Sequence, residues 1–419
     1  MQERVQISPE RLMRAFGRMS QFGLNEDGGI DRSFASRADR QARQWILQEW
    51  QSMGLETRVD PVANLWGSME GREKLPPIVF GSHHDAVPDG GKYDGAMGVL
   101  IATEVARTIR ENNLSLRHPL SVISFTAEEP NTFNLSTLGS KVLCGRLKQE
   151  DLLPVRDRSG NVKLTEALRE LGGNPDRLDE ARIRPGEISC FVEVHNELGR
   201  QLESRNLDIS GVSVITGIYR ERIRVTGESN HAGTTMMEDR KDAFLALGEL
   251  ALSLEKAAKA RSSPNVTATM GYEKIEPNEA NIIPGAAEGI IDIRTSDEDD
   301  LNFLLHALDT EEKELTRRRQ VRIDRTCILN QKAQPMDEIV QEAIRRGILA
   351  VDEPAVSVVS MAGHDAANMQ RIAPAGMIFV RSVGGYGHCR KEYCREEDMV
   401  KAANALLETI LILDRQMEV

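Results

Sequence analysis

No stretch of about 18 consecutive apolar residues occurs in the 419-residue chain, which removes a membrane-spanning helix from consideration. The N-terminus, "MQERVQISPERLMRAF", also lacks the apolar core of a secretory signal, so the sequence reads as a soluble protein retained in the cytoplasm. Basic excess is missing too: 53 lysines and arginines stand against 65 aspartates and glutamates, a net charge of −12. Nucleic acid and anionic membrane are thereby disfavoured as partners, because attraction to phosphate or headgroup needs a basic patch. Small-molecule chemistry remains. The five cysteines (Cys144, Cys190, Cys327, Cys389, Cys394) include no CxxC pair, and scattered thiols in odd number fit a reducing compartment better than a disulfide framework. Cys389 and Cys394 lie near His388 but five apart, which argues against a zinc knuckle. No internal repeat or low-complexity tract is visible, and aromatics, at 4%, are the one scarce class in a composition otherwise ordinary for a globular protein.

What is present is length and alternation. A chain of 419 residues exceeds the size that one core usually sustains, so two domains are expected. Over the first 200 residues, helix-period segments alternate with short apolar runs, the pattern of βα units and a mainly parallel sheet. Ala42, Ile46, Leu47, Trp50 and Met53 keep helical spacing, with Gly54 where a C-terminal cap belongs. The segment from Gly95 through "AMGVLIATEVARTIREN" is apolar around its first turns and predicts a helix buried on the sheet. Strands are predicted after "PP" at Ile78 and over 120–125, 190–194, 355–360 and 376–380. The middle differs: "RERIRVTG", "KDAFLALGELALSLEKAAKA", "NVTATMGYEKI" and "AEGIIDIRT" read as strand, helix, strand, strand, a small α+β sheet inserted at 209–326 between main-domain segments 1–208 and 327–419. Stretches 154–162 and 172–187 read as surface loops.

In open α/β sheets, ligands bind at the carboxyl ends of the strands, so the informative residues are those that follow each apolar run. "IVFGSHHD" ends in His83, His84 and Asp85; "VISFTAEE" in Glu128 and Glu129; "CFVEVHNE" in His195 and Glu197; "MIFVRSVGGYGH" leads to His388. A lone histidine after a strand is ordinarily a structural hydrogen-bonder, and a Glu-Glu pair is ordinarily a solvated helix start. Four such strand ends together point to a site. Imidazoles and carboxylates without thiolate form the ligand set of Zn²⁺ or a similar divalent ion in a hydrolytic centre. Two carboxylates and several histidines suffice for two ions about 3.5–4 Å apart, holding one water and polarising one carbonyl. His83 and Asp85 lie two apart on an extended chain and share a face, which makes Asp85 a candidate partner behind His83, whereas His84 points the other way.

The stretches "GSHHDAVPDGGKYDG", "FVEVHNELGRQLE", "NHAGTTMMEDRKDA", "NIIPG", "DIR", "GHDAANM" and "GGYGH" occur in the order of the motifs of the M20 metallopeptidase/amidohydrolase family. They most resemble its amidase (hydantoinase/carbamoylase) branch, which holds N-carbamoyl-L-amino acid hydrolases, allantoate amidohydrolases and β-ureidopropionases. The resemblance runs from "DGGIDRSFASRADRQA" to the C-terminal histidine. It implies an α/β catalytic domain with a mainly parallel sheet, interrupted by a smaller ferredoxin-like lid and dimerisation domain, hence a homodimer. It also implies two divalent ions per subunit, Zn²⁺ first and Mn²⁺, Co²⁺ or Ni²⁺ as other ions that accept the same donors. Asp94 would bridge them, with His83 and His195 on one ion and Glu129 and His388 on the other. Glu128 would be the general base, moving a proton from the attacking water to the leaving nitrogen. His195 stands where many peptidase relatives use a carboxylate, which favours amidase over peptidase. His231 matches the family's oxyanion donor, typically reaching into the other subunit's site; a turn histidine capping the next helix is the alternative. Asn281 and Arg294 match positions that hold a substrate carboxylate, a planar group suited to a guanidinium fork. Arg294 could equally pair with Asp292. His364 and Asp365 line or order the site, while His84, His118 and His306 are structural or exposed.

The chain also departs from the branch. Its usual "HIEQG" is here His195-Asn196-Glu197-Leu198-Gly199, with Leu198 for a glutamine. "EEGSRF" is Glu128-Glu129-Pro130-Asn131-Thr132-Phe133, without the arginine, and "HAGTTPM" has Met236 for proline. These changes spare the metal ligands and alter the pocket, where one absent polar partner shifts discrimination strongly. The expected reaction is hydrolysis of a linear C–N amide (carbamoyl or ureido, formyl, or acyl) on a small molecule bearing a carboxylate, foremost an N-carbamoyl-L-amino acid or an allantoate-like ureido compound. Competing readings are a metallo-aminopeptidase or dipeptidase and an N-acyl or N-formyl amine deacylase. A non-enzymatic binding relative would have lost a ligand or the base, and none is lost.

Overall fold

The computed structural model describes residues 4–417 and divides the chain into two compact units. The first comprises the residues up to Ser213, Met336–Val358 and the residues from Gly363 onward; the second comprises Val214–Pro335 with Val359–Ala362. In chain order the strands are β1 (Glu56–Val59), β2 (Leu65–Met69), β3 (Ile78–His83), β4 (Leu120–Phe125), β5 (Cys190–Asn196), β6 (Ile209–Ile215), β7 (Gly217–Thr226), β8 (Val266–Glu276), β9 (Ala286–Thr295), β10 (Arg322–Gln331), β11 (Gln334–Pro335), β12 (Ser357–Ser360) and β13 (Ala375–Val380).

The first unit is mixed α/β around a sheet of order β1-β2-β4-β3-β5-β13-β6. Its four central strands, β4, β3, β5 and β13, run parallel, while β2 at one side and β6 at the other pair antiparallel with them and β1 pairs antiparallel with β2. Every residue of those four strands is buried, which explains why they read as continuous apolar runs rather than as alternating patterns. Phe80, Phe125, Phe191 and Phe379 are each 0% exposed. Truncating any one of them to alanine costs about 3–5 kcal/mol. The helix Ala96–Glu111 packs against this layer, and Gly98 permits the approach: a Cβ there would lie 2.0 Å from the carbonyl oxygen of Val194. The helix Arg37–Ser52 starts at Ser36, whose hydroxyl accepts the amide of Asp39, and it ends just before Gly54 at φ +72°. It buries Ala42, Ile46 and Trp50, with the indole N–H of Trp50 donating to Thr103 Oγ1 at 2.9 Å.

The second unit is a four-stranded antiparallel sheet of order β10-β7-β9-β8, with helices Ala243–Lys259 and Glu298–Arg319 in the sequence strand–helix–strand–strand–helix–strand. Alternation in β7 and β9 sends Tyr219, Ile223, Val225, Ala287, Ile291 and Ile293 into a core with Leu247, Leu250, Leu304 and Leu308. Its limits differ from the expected 209–326. Ile209, Ser210 and Gly211 pair with β13 in the larger sheet, and residues 327–331 continue β10, so the unit begins at Val214 and closes at Pro335. The segment 172–187, expected as loop, contains the 3₁₀ helix Pro175–Ala181 begun by Asn174 and Pro175. Among the described residues no helix is long and apolar enough to cross a membrane.

Candidate metal centre

Because β4, β3, β5 and β13 are parallel, their carboxyl ends share one edge of the sheet, and the polar residues that follow the apolar runs converge there. His83 closes β3 and His195 is the penultimate residue of β5. Beyond β4, Ala127 adopts φ +53° and turns the chain so that Glu128 and Glu129 come forward. After β13, Gly384 and Gly385 take left-handed conformations before His388, itself at φ +53°. Asp94 precedes the buried helix Ala96–Glu111, joined to it by Gly95 at φ +62°.

Asp94 is the centre of the arrangement. Its Oδ1 stands 3.1 Å from Nε2 of His195 and 3.5 Å from Nε2 of His83, and its Oδ2 stands 3.2 Å from Nε2 of His388. Nε2 of His388 is also 3.4 Å from Oε1 of Glu129. Two three-residue groups with ligand spacing result, His83–Asp94–His195 and Asp94–Glu129–His388, sharing Asp94 through its two oxygens. The strand histidines are oriented from behind: Nδ1 of His83 lies 3.2 Å from the carbonyl of Asp85 and Nδ1 of His195 lies 2.9 Å from that of Asn196. With Nδ1–H donating outward, each ring turns an Nε2 lone pair inward.

These residues fit a divalent cation. Asp94 Oδ2 and Glu129 Oε1 are buried and accept no hydrogen bond, and the Nε2 atoms of His83 and His195 face each other at 3.3 Å. Imidazole nitrogens and carboxylate oxygens that converge in a buried place without hydrogen bonds favour a positive charge among them. The donor set, imidazole and carboxylate alone, is that of a hydrolytic metal site.

Protonation follows the crowding. Burial, which alone would raise it, is outweighed at Asp94 by His195, His388 and His83, so its carboxyl is held well below the usual range. Burial and then the charges of Asp94 and Glu128 push Glu129 well above its ordinary value. Glu128 is pushed up to about 7 by burial, with Asp85 and Asp94 adding to the rise and His83 opposing it. Burial would lower His83, but Glu128, Asp85 and Asp94 outweigh it and the imidazole is raised well above its usual value.

Asp85 holds the Glu128–Glu129 turn in place. Its two carboxylate oxygens accept the amides of Glu128 and Glu129, at 3.2 and 3.1 Å, while Oδ1 lies 3.5 Å from Nδ1 of His83. The Glu128 carboxylate comes within 3.7 Å of Nε2 of His83. His84 turns away from the cluster: Nε2 meets Asp39 Oδ1 at 2.9 Å and Nδ1 meets Ser124 Oγ at 2.6 Å, all three side chains buried. The His364 ring packs edge-on against that of His195, with centroids 4.5 Å apart, and Asp365 accepts the hydroxyl of Ser140. His118 is buried against the carbonyl of Pro76 at 2.8 Å, and His306 is exposed.

Two buried carboxylates here escaped the reading of the sequence. Glu193 accepts Ser82 Oγ at 2.8 Å and the amide of Ala366 at 2.9 Å, bracing β3 and the 364–366 turn from β5. Its only signal was a place two residues before His195 on the same strand face. Glu392 accepts the amides of Tyr93 and Asp94. Glu197, noted at the end of β5, instead accepts the amides of Gln201 and Leu202 at 2.6 and 2.9 Å.

His231, Asn281 and Arg294 belong to the second unit. His231 bridges to Ile282, and its Nδ1 accepts the amides of Gly233 and Thr234 at 3.0 and 3.2 Å, which leaves the proton on Nε2. The carbonyl of Asn281 accepts the amide of Ala232 at 3.0 Å. Arg294 donates through Nε to Asp292 at 3.0 Å and through Nη1 to the carbonyl of Met361 at 2.9 Å, so the pair with Asp292 is formed.

Comparison with known proteins gives the class. Residues 79–412 match the peptidase family M20/M25/M40, and the chain belongs to that family. It is a hydrolase whose relatives over nearly its full length include amidohydrolases. It is 31% identical to an N-carbamoyl-L-amino acid amidohydrolase of Geobacillus stearothermophilus, over 96% of this chain and 98% of that one. It is 32% identical to a ureidoglycolate hydrolase of Arabidopsis thaliana, over 97% of this chain and 87% of that one. A solved amidase of the hydantoinase/carbamoylase family from Burkholderia multivorans superposes with a TM-score of 0.89 at 29% identity, covering 99% of both chains.

Proposed function

We propose that this protein hydrolyses the linear C–N bond of a ureido group, or of a related formyl or acyl group, on a small molecule that carries a carboxylate. An N-carbamoyl-L-amino acid or an allantoate-like ureido compound is the substrate we put first. The observation that carries this reading is the shared Asp94: each of its oxygens faces its own histidine group, and the Glu128 carboxylate comes within 3.7 Å of His83. On this reading two divalent cations per subunit, Zn²⁺ before Mn²⁺, Co²⁺ or Ni²⁺, are held by His83, His195 and Asp94 and by Asp94, Glu129 and His388. When bound, such ions supply Lewis acidity, making water more acidic and the scissile carbonyl more electrophilic.

The chain's own residues do the rest. Glu128 takes a proton from the attacking water as the C–O bond forms and gives it to the nitrogen, which then leaves as the C–N bond breaks and the carbonyl re-forms. Asp85, through the two amides that it accepts, holds the turn bearing that carboxylate. His231, with its proton on Nε2, is read as the donor that meets the developing oxyanion, and Asn281 and Arg294 as the groups that meet the substrate carboxylate. The second unit is read as the lid and dimerisation domain of a cytoplasmic homodimer.

A metallo-aminopeptidase or dipeptidase is the second reading; the imidazole of His195, where a carboxylate would serve many peptidases, stands against it. The test is a panel on metal-loaded protein of N-carbamoyl, N-formyl and N-acetyl amines with and without an α-carboxylate, together with allantoate and dipeptides. Turnover of ureido acids with release of ammonia is expected. Turnover of dipeptides alone would reject the proposal.

A further inference from the structure

Glu392 is a charged residue in a sequence, "HCRKEYC", that looks wholly solvated, yet it is 5% exposed. Its Oε1 accepts two backbone N–H groups, of Tyr93 at 3.0 Å and of Asp94 at 2.8 Å. Its Oε2 is buried and accepts no hydrogen bond. Its own amide donates to the carbonyl of Cys389 at 3.0 Å, closing the turn that follows His388. Space for the carboxylate is kept by Gly91, where a Cβ would fall 2.3 Å from the carboxyl carbon and 2.4 and 2.5 Å from its oxygens. One carboxylate thus ties together the loop that presents Asp94 and the loop that presents His388.

We propose that Glu392 is a positioning residue that sets Asp94 and His388 in register, so that both oxygens of Asp94 meet their groups at once. His83 and His195 lie on buried strands, but His388 has a side chain 50% exposed and sits on a glycine-rich loop in a left-handed conformation. The start of that loop is anchored at Gly384, whose amide donates to Glu203 at 2.9 Å, four residues before the histidine. The tie on its far side comes four residues later, at Glu392, and it ends on the amide of the residue that His388 must face. The two amides need an acceptor in any case, but a buried carboxylate with its second oxygen without a hydrogen bond is a costly one, and two amide donors to an anion form a strong, directional bond. The inference rests on the reading that Asp94 bridges two cations.

The experiment is Mn²⁺ titration of the metal-stripped full-length chain, followed by calorimetry and by the exchange-coupled electron paramagnetic resonance signal of paired ions. Wild type is expected to bind two Mn²⁺ with a coupled signal. Glu392→Ala is expected to keep one ion at wild-type affinity, weaken the second about 10–100-fold and lose the coupled signal. Glu392→Gln, which still offers an oxygen to both amides, is expected to restore the coupling. Gly91→Ala, which displaces the carboxylate without removing it, is expected to behave as Glu392→Ala and serves where that variant does not fold. Two coupled ions at wild-type affinity in Glu392→Ala or Gly91→Ala would overturn the proposal. So would equal weakening of both ions with a lowered melting temperature of the metal-stripped chain, the mark of a purely structural role. A wild-type chain that binds one ion would overturn the two-ion reading, and this proposal with it.

Discussion

Gly95 is packed against the ring of His83 so closely that a Cβ on it would lie 2.3 Å from both Cε1 and Nε2. Its φ of +62° also lies where an L side chain is strained, at a cost of about 1–2 kcal/mol. Gly95→Ala is therefore expected to displace the His83 imidazole and lose metal, with a lower melting temperature. Metal content by elemental analysis checks this, and full loading in the variant would contradict it.

Glu128 belongs to neither of the three-residue ligand groups, although its carboxylate reaches toward His83. Glu128→Gln should leave metal content and melting temperature unchanged and reduce kcat about 10²–10⁴-fold. A variant that loses metal in proportion to activity would make Glu128 a ligand and not the base.

The protonation pattern gives a pH dependence with opposite signs in the two metal states. In the metal-stripped chain His83 and Glu129 are both raised, so the folded form binds protons more tightly than the unfolded one. Stability from these groups is present at low pH and is lost as pH rises through the raised values. Cations compete with the same protons, so their stabilising effect should grow with pH and binding should release protons. Melting temperatures with metal and with chelator, taken between pH 5.5 and 8, should diverge as pH rises; a constant gap would refute the competition.

His231 uses Nδ1 to accept two amides, which commits its proton to Nε2. His231→Ala is expected to lower kcat about 10²–10³-fold, the scale of a lost oxyanion donor, while the metal remains bound. A change in KM alone would remove the residue from that role.

The strand ends were readable because each parallel strand is buried on both faces and stops at its first cluster of polar residues. Alternation along β3 was enough to separate His83, which faces Asp94, from His84, which faces Asp39 and Ser124. The domain limit was less readable. β6 is an apolar alternating segment next to the insertion, and periodicity does not name the partner of a strand; β13 does that only in the folded sheet. The second helix and last strand of that unit, Glu298–Arg319 and β10, are so charged that neither offered a clear apolar pattern. Glu392 was hidden for the opposite reason, since a glutamate amid lysine, arginine and tyrosine carries no sign of burial, and its place depends on Gly91 and Asp94 about 300 positions away. For Arg294 both readings used the same chemistry, and only the fold supplies the bond to Asp292.

The two ligand groups differ in how they are mounted. His83 and His195 hang from adjacent, fully buried strands with their rings tied to main-chain carbonyls, whereas His388 is half exposed on a loop with two glycines at positive φ. For a pair of cations the exchange rates should then be unequal, with one ion resident for the life of the fold and the other in traffic with the surrounding pool. Metal identity in such a protein would be a property of its growth conditions at one position and of its sequence at the other.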